Sequence, residues 1–348
     1  MVMFLLLLSL LVFDSGTVPV HASDLSFKGG ADMVGSYVFD DSSPLHGAHY
    51  SAAPYLQVSY SSSALKADFR GTYTIQGVDA ASSGDPGVFS LDKAYFKFRF
   101  PGLLGKRLTV TAGLAPISWG LGYYYRAGDV LFEDPIINTD AGTYAERQLW
   151  LVSINQPLGA GFNIDFAFLP ALGETTDEKF GILLRKDFGA TTLKEMKAAY
   201  AYALDGTHKA AIVADLFLYF DITLGVESSF SSSSDVRIVA NAMKQFSLES
   251  ETHSCPLIVF ASSQLDFFAA CYSVAGGVSF GVNDRLTVSA NGLGRFSDSS
   301  EAWGLGVGGE MVLVDGVSAS FAGLYADGFP DPIYPDGLSL AVGLTVAF

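Results

Sequence analysis

The chain has 348 residues, of which 49% are hydrophobic and only 16% are charged. This composition excludes a disordered, collagen-like or coiled-coil protein. The 20 lysine and arginine residues are outnumbered by 36 aspartate and glutamate residues, which gives a formal net charge of −16. Nucleic acid is not an expected partner, because phosphate binding needs clustered positive charge. The mean hydropathy of +0.33 indicates instead that a bilayer covers part of the apolar surface.

Residues 1–22 have the features of a secretory signal peptide. An apolar core runs from Met3 to Phe13, and Val20-His21-Ala22 forms a small-x-small cleavage site before Ser23. The segment differs from the usual pattern because no lysine or arginine precedes the apolar core. We expect a mature chain of residues 23–348 that forms a single domain.

The mature chain alternates apolar residues with polar or small ones in segments of about ten residues. In Leu65–Gln76, every odd position is apolar or glycine and every even position is polar. In Ala94–Phe100, three phenylalanines share one face, and Lys97 and Arg99 share the other. Because no mature segment has the roughly 20 apolar residues of a membrane helix, the alternation predicts an all-β transmembrane antiparallel up-and-down barrel.

Short and long links alternate between these segments, as the turns and external loops of such a barrel do. Counting with this alternation gives about 16–18 strands, with both termini at the end of the short turns. The longest link, residues 116–147, falls between the fifth and sixth predicted strands.

The two cysteines, Cys255 and Cys271, are equally distant from Ser263 in the sequence. Ser262-Ser263-Gln264 has the composition of a turn, and a hairpin centred on Ser263 would place the cysteines within bridging range. This spacing favours a disulfide. The alternatives are two reduced, buried thiols or a register slipped by one residue.

The whole mature chain resembles bacterial outer-membrane β-barrels of the general porin type. The last strand, 338–348, ends in Phe348 with apolar residues at alternate positions before it. In this family that pattern is associated with recognition by the barrel-assembly machinery. The link 116–147 is similar in position to the loop that folds inward and narrows the pore of trimeric porins, although the Pro-Glu-Phe-Gly-Gly signature of many porins is missing from it.

The resemblance implies a multi-pass protein in the outer membrane of a Gram-negative-type bacterium, with its N- and C-termini in the periplasm. Outer-membrane lipid and the barrel-assembly machinery are then the expected partners. A homotrimer is the assembly that the resemblance suggests.

If the large side chains face lipid, the opposite face lines the lumen, because a charge facing lipid near the midplane costs about 2–4 kcal/mol. The basic residues expected to line the pore are Lys66, Arg70, Lys93, Lys97, Arg99, Arg185, Arg237 and Arg295. The residues expected to form a constriction on the long link are Trp119, Arg126, Asp129, Glu133, Asp134 and Asp140. Acidic residues of the long link that face basic residues of the barrel wall would orient polar solutes in the pore.

The sequence thus predicts a passive or weakly selective channel for small hydrophilic solutes. We expect no enzymatic activity, catalytic residue, cofactor or metal: His46 and His49 have metal-like spacing, but no cysteine accompanies them. Paired charges could instead fill the lumen, as in small barrels. Two further alternatives are a surface adhesin or receptor whose barrel carries acidic loops, and an uptake barrel for apolar molecules.

Overall fold

The computed structural model describes residues 25–39, 47–78, 87–102, 105–117, 119–121, 125, 128–131, 148–172, 177–189, 192–230, 234–249, 254–267, 270–298, 300–328 and 337–347. The described ranges form an 18-stranded sheet. Its strands are β1 (Leu25–Val38), β2 (Gly47–Ser61), β3 (Leu65–Val78), β4 (Val88–Pro101), β5 (Arg107–Pro116), β6 (Gln148–Gly159), β7 (Phe162–Leu169), β8 (Lys179–Asp187), β9 (Leu193–Ala203), β10 (His208–Phe217), β11 (Asp221–Phe230), β12 (Ser234–Glu249), β13 (Ser254–Asp266), β14 (Cys271–Asn283), β15 (Leu286–Ser297), β16 (Glu301–Val314), β17 (Val317–Asp327) and β18 (Gly337–Ala347). In this part of the chain, no helix is long and apolar enough to cross a membrane.

The sheet closes on itself as an up-and-down barrel. Each strand pairs antiparallel with the next, and β1 pairs with β18 so that Gly30 lies opposite Ala347. Closure satisfies the backbone groups that an open sheet would leave unpaired at its edges. The predicted all-β antiparallel barrel is confirmed, and its 18 strands lie at the upper limit of the predicted range.

The two faces of the wall have opposite chemical character. On β3, the apolar side chains of Phe69, Tyr73 and Ile75 are exposed on the outer surface, whereas Asp68 and Thr72, at positions of the other parity, are buried. The register extends this assignment around the barrel, because directly opposite residues of paired strands share a face. An apolar exterior around a polar interior is the arrangement of a wall between lipid and water.

A β-bulge in β4 adds a charged residue to the inner face. Arg70 lies opposite Lys93 and Gly71 lies opposite Leu91, so Asp92 is the extra residue of β4. A bulge lets two neighbouring side chains face one partner. Both Asp92 and Lys93 can therefore point inward, and Asp92 Oδ2 lies 3.3 Å from Arg70 Nε.

The predicted hairpin centred on Ser263 is wrong. β13 runs without interruption from Ser254 to Asp266, and the chain turns only after it. Cys255 pairs with Leu248 at one end of β13, whereas Cys271 pairs with Asp266 at the other end. The cysteines also lie on opposite faces of the wall, and both are free.

The physical reason for this error is that Ser262 and Gln264 point into the lumen. Both side chains are buried on the inner face, where a barrel strand accepts polar residues that would mark a turn in a water-soluble protein. The Cys271 sulfur instead accepts a hydrogen bond from Arg295 Nε at 3.1 Å.

We expect the unreduced and reduced forms of the folded chain to have the same mass, because Cys255 and Cys271 are too far apart to form a bridge. Mass spectrometry of the folded protein after alkylation without reductant would check this. Alkylation of neither thiol, with a mass lower by two hydrogens, would contradict the structure.

Candidate functional site in the barrel lumen

The link between β5 and β6 enters the barrel. Its described residues, 117, 119–121, 125 and 128–131, are called the lumen segment below. Ile117, Trp119, Val130 and Leu131 are buried in an apolar cluster. The wall residues of this cluster lie on strands β4 to β10 and are Tyr95, Ala115, Leu149, Leu151, Ala167, Leu169, Leu183, Ala199, Ala201 and Ala211. The lumen segment therefore packs as part of a hydrophobic core inside the barrel.

Tyr125 extends the lumen segment across the barrel. Its side chain is 2% exposed and packs in a second cluster with Val213, Val239, Phe260 and Ala275, which come from β10, β12, β13 and β14. The lumen segment thus starts at β5 and reaches strands on the other side of the ring.

Polar wall residues bind the backbone of the lumen segment. Lys197 Nζ donates to the carbonyl oxygen of Trp119 at 3.2 Å. Glu227 Oε1 accepts the N–H of Gly128. Because burial of a charge is costly unless it is paired, each contact needs a counter-charge nearby. Arg237 Nη1 lies 3.5 Å from Glu227 Oε2.

A third polar contact holds the far end of the lumen segment. The N–H of Tyr125 donates to Ser262 Oγ at 3.1 Å, and Ser262 in turn hydrogen-bonds Asn241 Oδ1. Both wall side chains are 4% exposed. Apolar packing and backbone hydrogen bonds together fix the lumen segment in one position.

The predicted constriction residues Trp119 and Asp129 lie in the lumen segment. Asp129 Oδ1 accepts the N–H of Trp119 at 3.4 Å, and its charge acts on Lys197 of β9. The structure therefore places Asp129 beside Lys197 of β9, a basic residue that the sequence analysis did not include among the pore-lining residues. Arg126, Glu133, Asp134, Asp140 and Phe348 lie outside the described residues, as do residues 1–22.

The register places all eight predicted pore-lining bases on the inner face of the wall. They are Lys66, Arg70, Lys93, Lys97, Arg99, Arg185, Arg237 and Arg295. Five of these bases lie on β3 and β4, and the other three lie singly on β8, β12 and β15. Five of the eight bases thus lie on two adjacent strands, which also carry the acids Asp68 and Asp92, and the role of these bases in a pore stays a prediction.

Acidic side chains of the wall face the basic strands from the other side. Asp215, Glu227 and Asp266 point inward from β10, β11 and β13. β3 and β12 lie half the ring apart, so these acids stand across the lumen from the bases of β3 and β4. The sequence analysis missed this opposition, because it depends on the strand count and on closure rather than on any local pattern.

The remaining wall, formed by β14 to β18 and β1, is mostly neutral and built from small residues. It borders a cavity of about 690 Å³. The inward-facing residues of its lining are Val34, Ser279, Thr287, Ser289, Asn291, Leu293, Gly306, Gly308, Glu310, Ser320, Ala322, Leu324, Ser339, Ala341 and Gly343. No residue of the lumen segment, as described, belongs to this lining.

No protein-family model matches the sequence, and a search of the curated proteins gives no match. Solved structures do match. Wzi, an outer-membrane protein involved in group 1 capsule assembly in Escherichia coli and a carbohydrate-binding β-barrel, has a TM-score of 0.63 at 12% identity, over 94% of this chain and 85% of Wzi. The fold is that of the outer-membrane β-barrels.

Two further structures share this fold. OccAB4 of Acinetobacter baumannii has a TM-score of 0.60 at 9% identity, covering 94% of this chain and 100% of OccAB4. OccD3 of Pseudomonas aeruginosa has a TM-score of 0.57 at 9% identity, covering 96% of each chain. The likeness extends over nearly the whole of each chain and concerns the course of the backbone.

Replacing Gly181 by valine is expected to displace the lumen segment. A Cβ atom at Gly181 would lie 2.7 Å from Leu131 Cδ2 and from Trp119 Cη2, so both side chains would have to move, at a cost of about 1–3 kcal/mol. A red shift of the tryptophan fluorescence would report this movement. Gly35→Val is the matched control, because a Cβ there meets no atom within 4 Å; equal spectra for the two variants would contradict the packing described.

Proposed function

We propose that the protein is an outer-membrane channel for the passive diffusion of small hydrophilic solutes. The observation that carries this proposal is the division of the lumen. The lumen segment packs against the wall from β4 to β14, whereas the neutral wall borders a cavity that no described residue of the segment lines. A barrel of 16–18 strands is wide enough to hold water, so a solute would pass between the lumen segment and the neutral wall.

The chemistry of this path favours hydrophilic solutes. Hydroxyl and amide groups such as those of Ser279, Ser320 and Asn291 border it, and they can exchange hydrogen bonds with a passing solute at little cost. The largest apolar cluster of the inner face is the one that the lumen segment covers. This arrangement disfavours the alternative of an uptake barrel for apolar molecules.

The proposal includes an orientation and a route to the membrane. The short turns and both termini would face the periplasm, and the acidic long links would face the outside. Outer-membrane lipid would contact the apolar exterior, and the barrel-assembly machinery would recognise Phe348 after removal of residues 1–22. A homotrimer stays part of this proposal as its assembly.

The refolded barrel is expected to give stepwise currents in a planar lipid bilayer, because an aqueous path crosses it. Single-channel recording over a wide voltage range would measure this, with heat-denatured protein as the control. A barrel that migrates as folded on an unheated gel and yet stays electrically silent would contradict the channel.

The adhesin alternative makes a different prediction about the acidic links, which lie mostly outside the described residues. If the barrel is only a scaffold, exchange of residues 231–235 or 297–301 for Gly-Ser linkers should abolish binding to host or matrix and leave conductance unchanged. Unchanged binding after both exchanges would favour the channel.

A further inference from the structure

Two lysines of the inner wall stand directly opposite each other, and neither forms an ion pair with a described residue. Lys66 of β3 is the register partner of Lys97 of β4, and such partners have Cβ atoms about 4.5–5.5 Å apart. Like charges in this position destabilise a sheet. Arg70, Arg185 and Arg237 each have a carboxylate at 3.3–3.5 Å, whereas neither lysine forms an ion pair with a described residue.

Arg99 adds a third positive charge next to this pair. Its charge and that of Lys66 both act on Lys97. Arg99 Nη1 donates to the carbonyl oxygen of Ser62 at 3.0 Å, which fixes the guanidinium and occupies one of its five N–H donors. Residues with hydroxyl groups lie on the strands at both sides of the two lysines. Ser61 of β2 lies opposite Lys66, and Thr111 of β5 lies opposite Lys97.

The acid whose charge reaches this group is already engaged elsewhere. Asp165 acts on Lys97, but it also interacts with Arg185 and Lys197. Asn155 Nδ2 donates to Asp165 Oδ1. A second carboxylate, Asp68, lies two residues from Lys66 on the same face and accepts hydrogen bonds from Gln57 Nε2 at 2.7 Å and Ser59 Oγ at 2.9 Å. Two carboxylates with other partners do not balance three cations, so a surplus of positive charge remains among Lys66, Lys97 and Arg99.

We propose that Lys66, Lys97 and Arg99 bind the oxyanion group of a solute, a carboxylate or a phosphate, on the inner wall of the barrel. An oxyanion would accept charge-assisted hydrogen bonds from two ammonium groups and one guanidinium, and it would relieve their mutual repulsion. The inference rests on the proposed channel, because it names the class of solute that the channel would concentrate. It differs from an opposed pair of wall and link charges, since the site needs no acid of the lumen segment.

The test measures binding to the folded full-length chain in detergent, without any ion flow. Isothermal titration calorimetry at low ionic strength, where screening is weak, would use inorganic phosphate and, separately, acetate as probes. The original chain is expected to bind at least one probe saturably. Lys66→Gln and Lys97→Gln should each lower the affinity about tenfold, as expected for loss of one charge-assisted contact, and Lys97→Arg should retain it.

Lys28→Gln is the matched control, because Lys28 also lies on the inner wall but faces the neutral Gln57. Its affinity should stay within about twofold of the original chain. An equal loss in the control would show that only the net charge matters and would overturn the site, as would the absence of binding by both probes. The two glutamine substitutions lie on different strands, and each removes a repulsion between like charges. If one variant fails to fold, the affinity of the other still tests the site.

Comparison of the two probes identifies the source of the oxyanion. Binding of phosphate alone would assign the site to phosphorylated solutes. Binding of acetate as well would extend the assignment to solutes with a carboxylate. Conductance without binding would contradict the site alone. Binding by a barrel that is silent in the bilayer would contradict the channel and leave the site standing.

Discussion

Trp119→Ala is expected to raise the single-channel conductance about twofold or more, because the lumen segment loses its largest buried side chain and widens the path. Trp119 is 5% exposed within the apolar cluster, and truncation of a buried aromatic residue costs about 3–5 kcal/mol. That cost destabilises the packing of the lumen segment against the wall, because hydrogen bonds between neighbouring strands hold the wall itself together. Bilayer recording and swelling of liposomes in sugars of graded size would both measure the change.

Trp303→Ala is the matched control for this experiment. Trp303 is 41% exposed on the outer face and packs against Tyr325, so its removal should leave the conductance unchanged. Equal conductance of Trp119→Ala and the original chain would contradict the role of the lumen segment as a constriction.

Val307→Arg is expected to lower the free energy of unfolding by about 2–4 kcal/mol in a lipid bilayer, because it places a charge on the lipid-facing surface near the midplane. Val307 lies in the middle of β16 and is 61% exposed on the outer face. Urea titration of the barrel refolded into vesicles would measure the effect.

The control substitution for the lipid-facing surface is Ser289→Arg, on the inner face of the neighbouring strand. An arginine there would extend into water, so the free energy of unfolding should change by about 1 kcal/mol or less, while the conductance falls. Equal destabilisation by the two arginines would contradict the assignment of the faces.

The sequence predicts the barrel well, because lipid outside and water inside impose a strict period of two on every strand. The same period places Lys66 and Lys97 on the inner face. It fails at Ser262 and Gln264, where polar residues allowed in the lumen imitate a turn. The period of two also does not predict the inward position of Asp92, because the bulge that turns this side chain inward has no local signature in the sequence.

The sequence carries a signal for the wall residues that contact the lumen segment, and the sequence analysis did not use it. Leu149, Leu151, Leu169 and Leu183 occupy inward positions of β6, β7 and β8, so parts of these strands are apolar on both faces. Other inward positions of the same strands are polar, such as Asn155, Asp165 and Arg185. A wall that faced only water would carry polar side chains at the leucine positions as well. Neighbouring strands with large apolar residues at several inward positions therefore indicate where a long link folds inward, whereas the length of the link shows only that it could.

The hydrogen bond between Tyr125 and Ser262 has a consequence for assembly, because it joins residues 137 positions apart in the chain. The wall residues that contact Tyr125 lie on β10, β12, β13 and β14, so they are not in place until these strands have joined the sheet. If strands are added in order from the N-terminus, the wall around Trp119 is complete only after five more strands, β6 to β10, and the wall around Tyr125 only after nine, β6 to β14. The apolar surfaces of both residues stay exposed until then. Contacts of such long range form slowly, so the interval before the lumen segment docks is when this barrel most needs protection from aggregation.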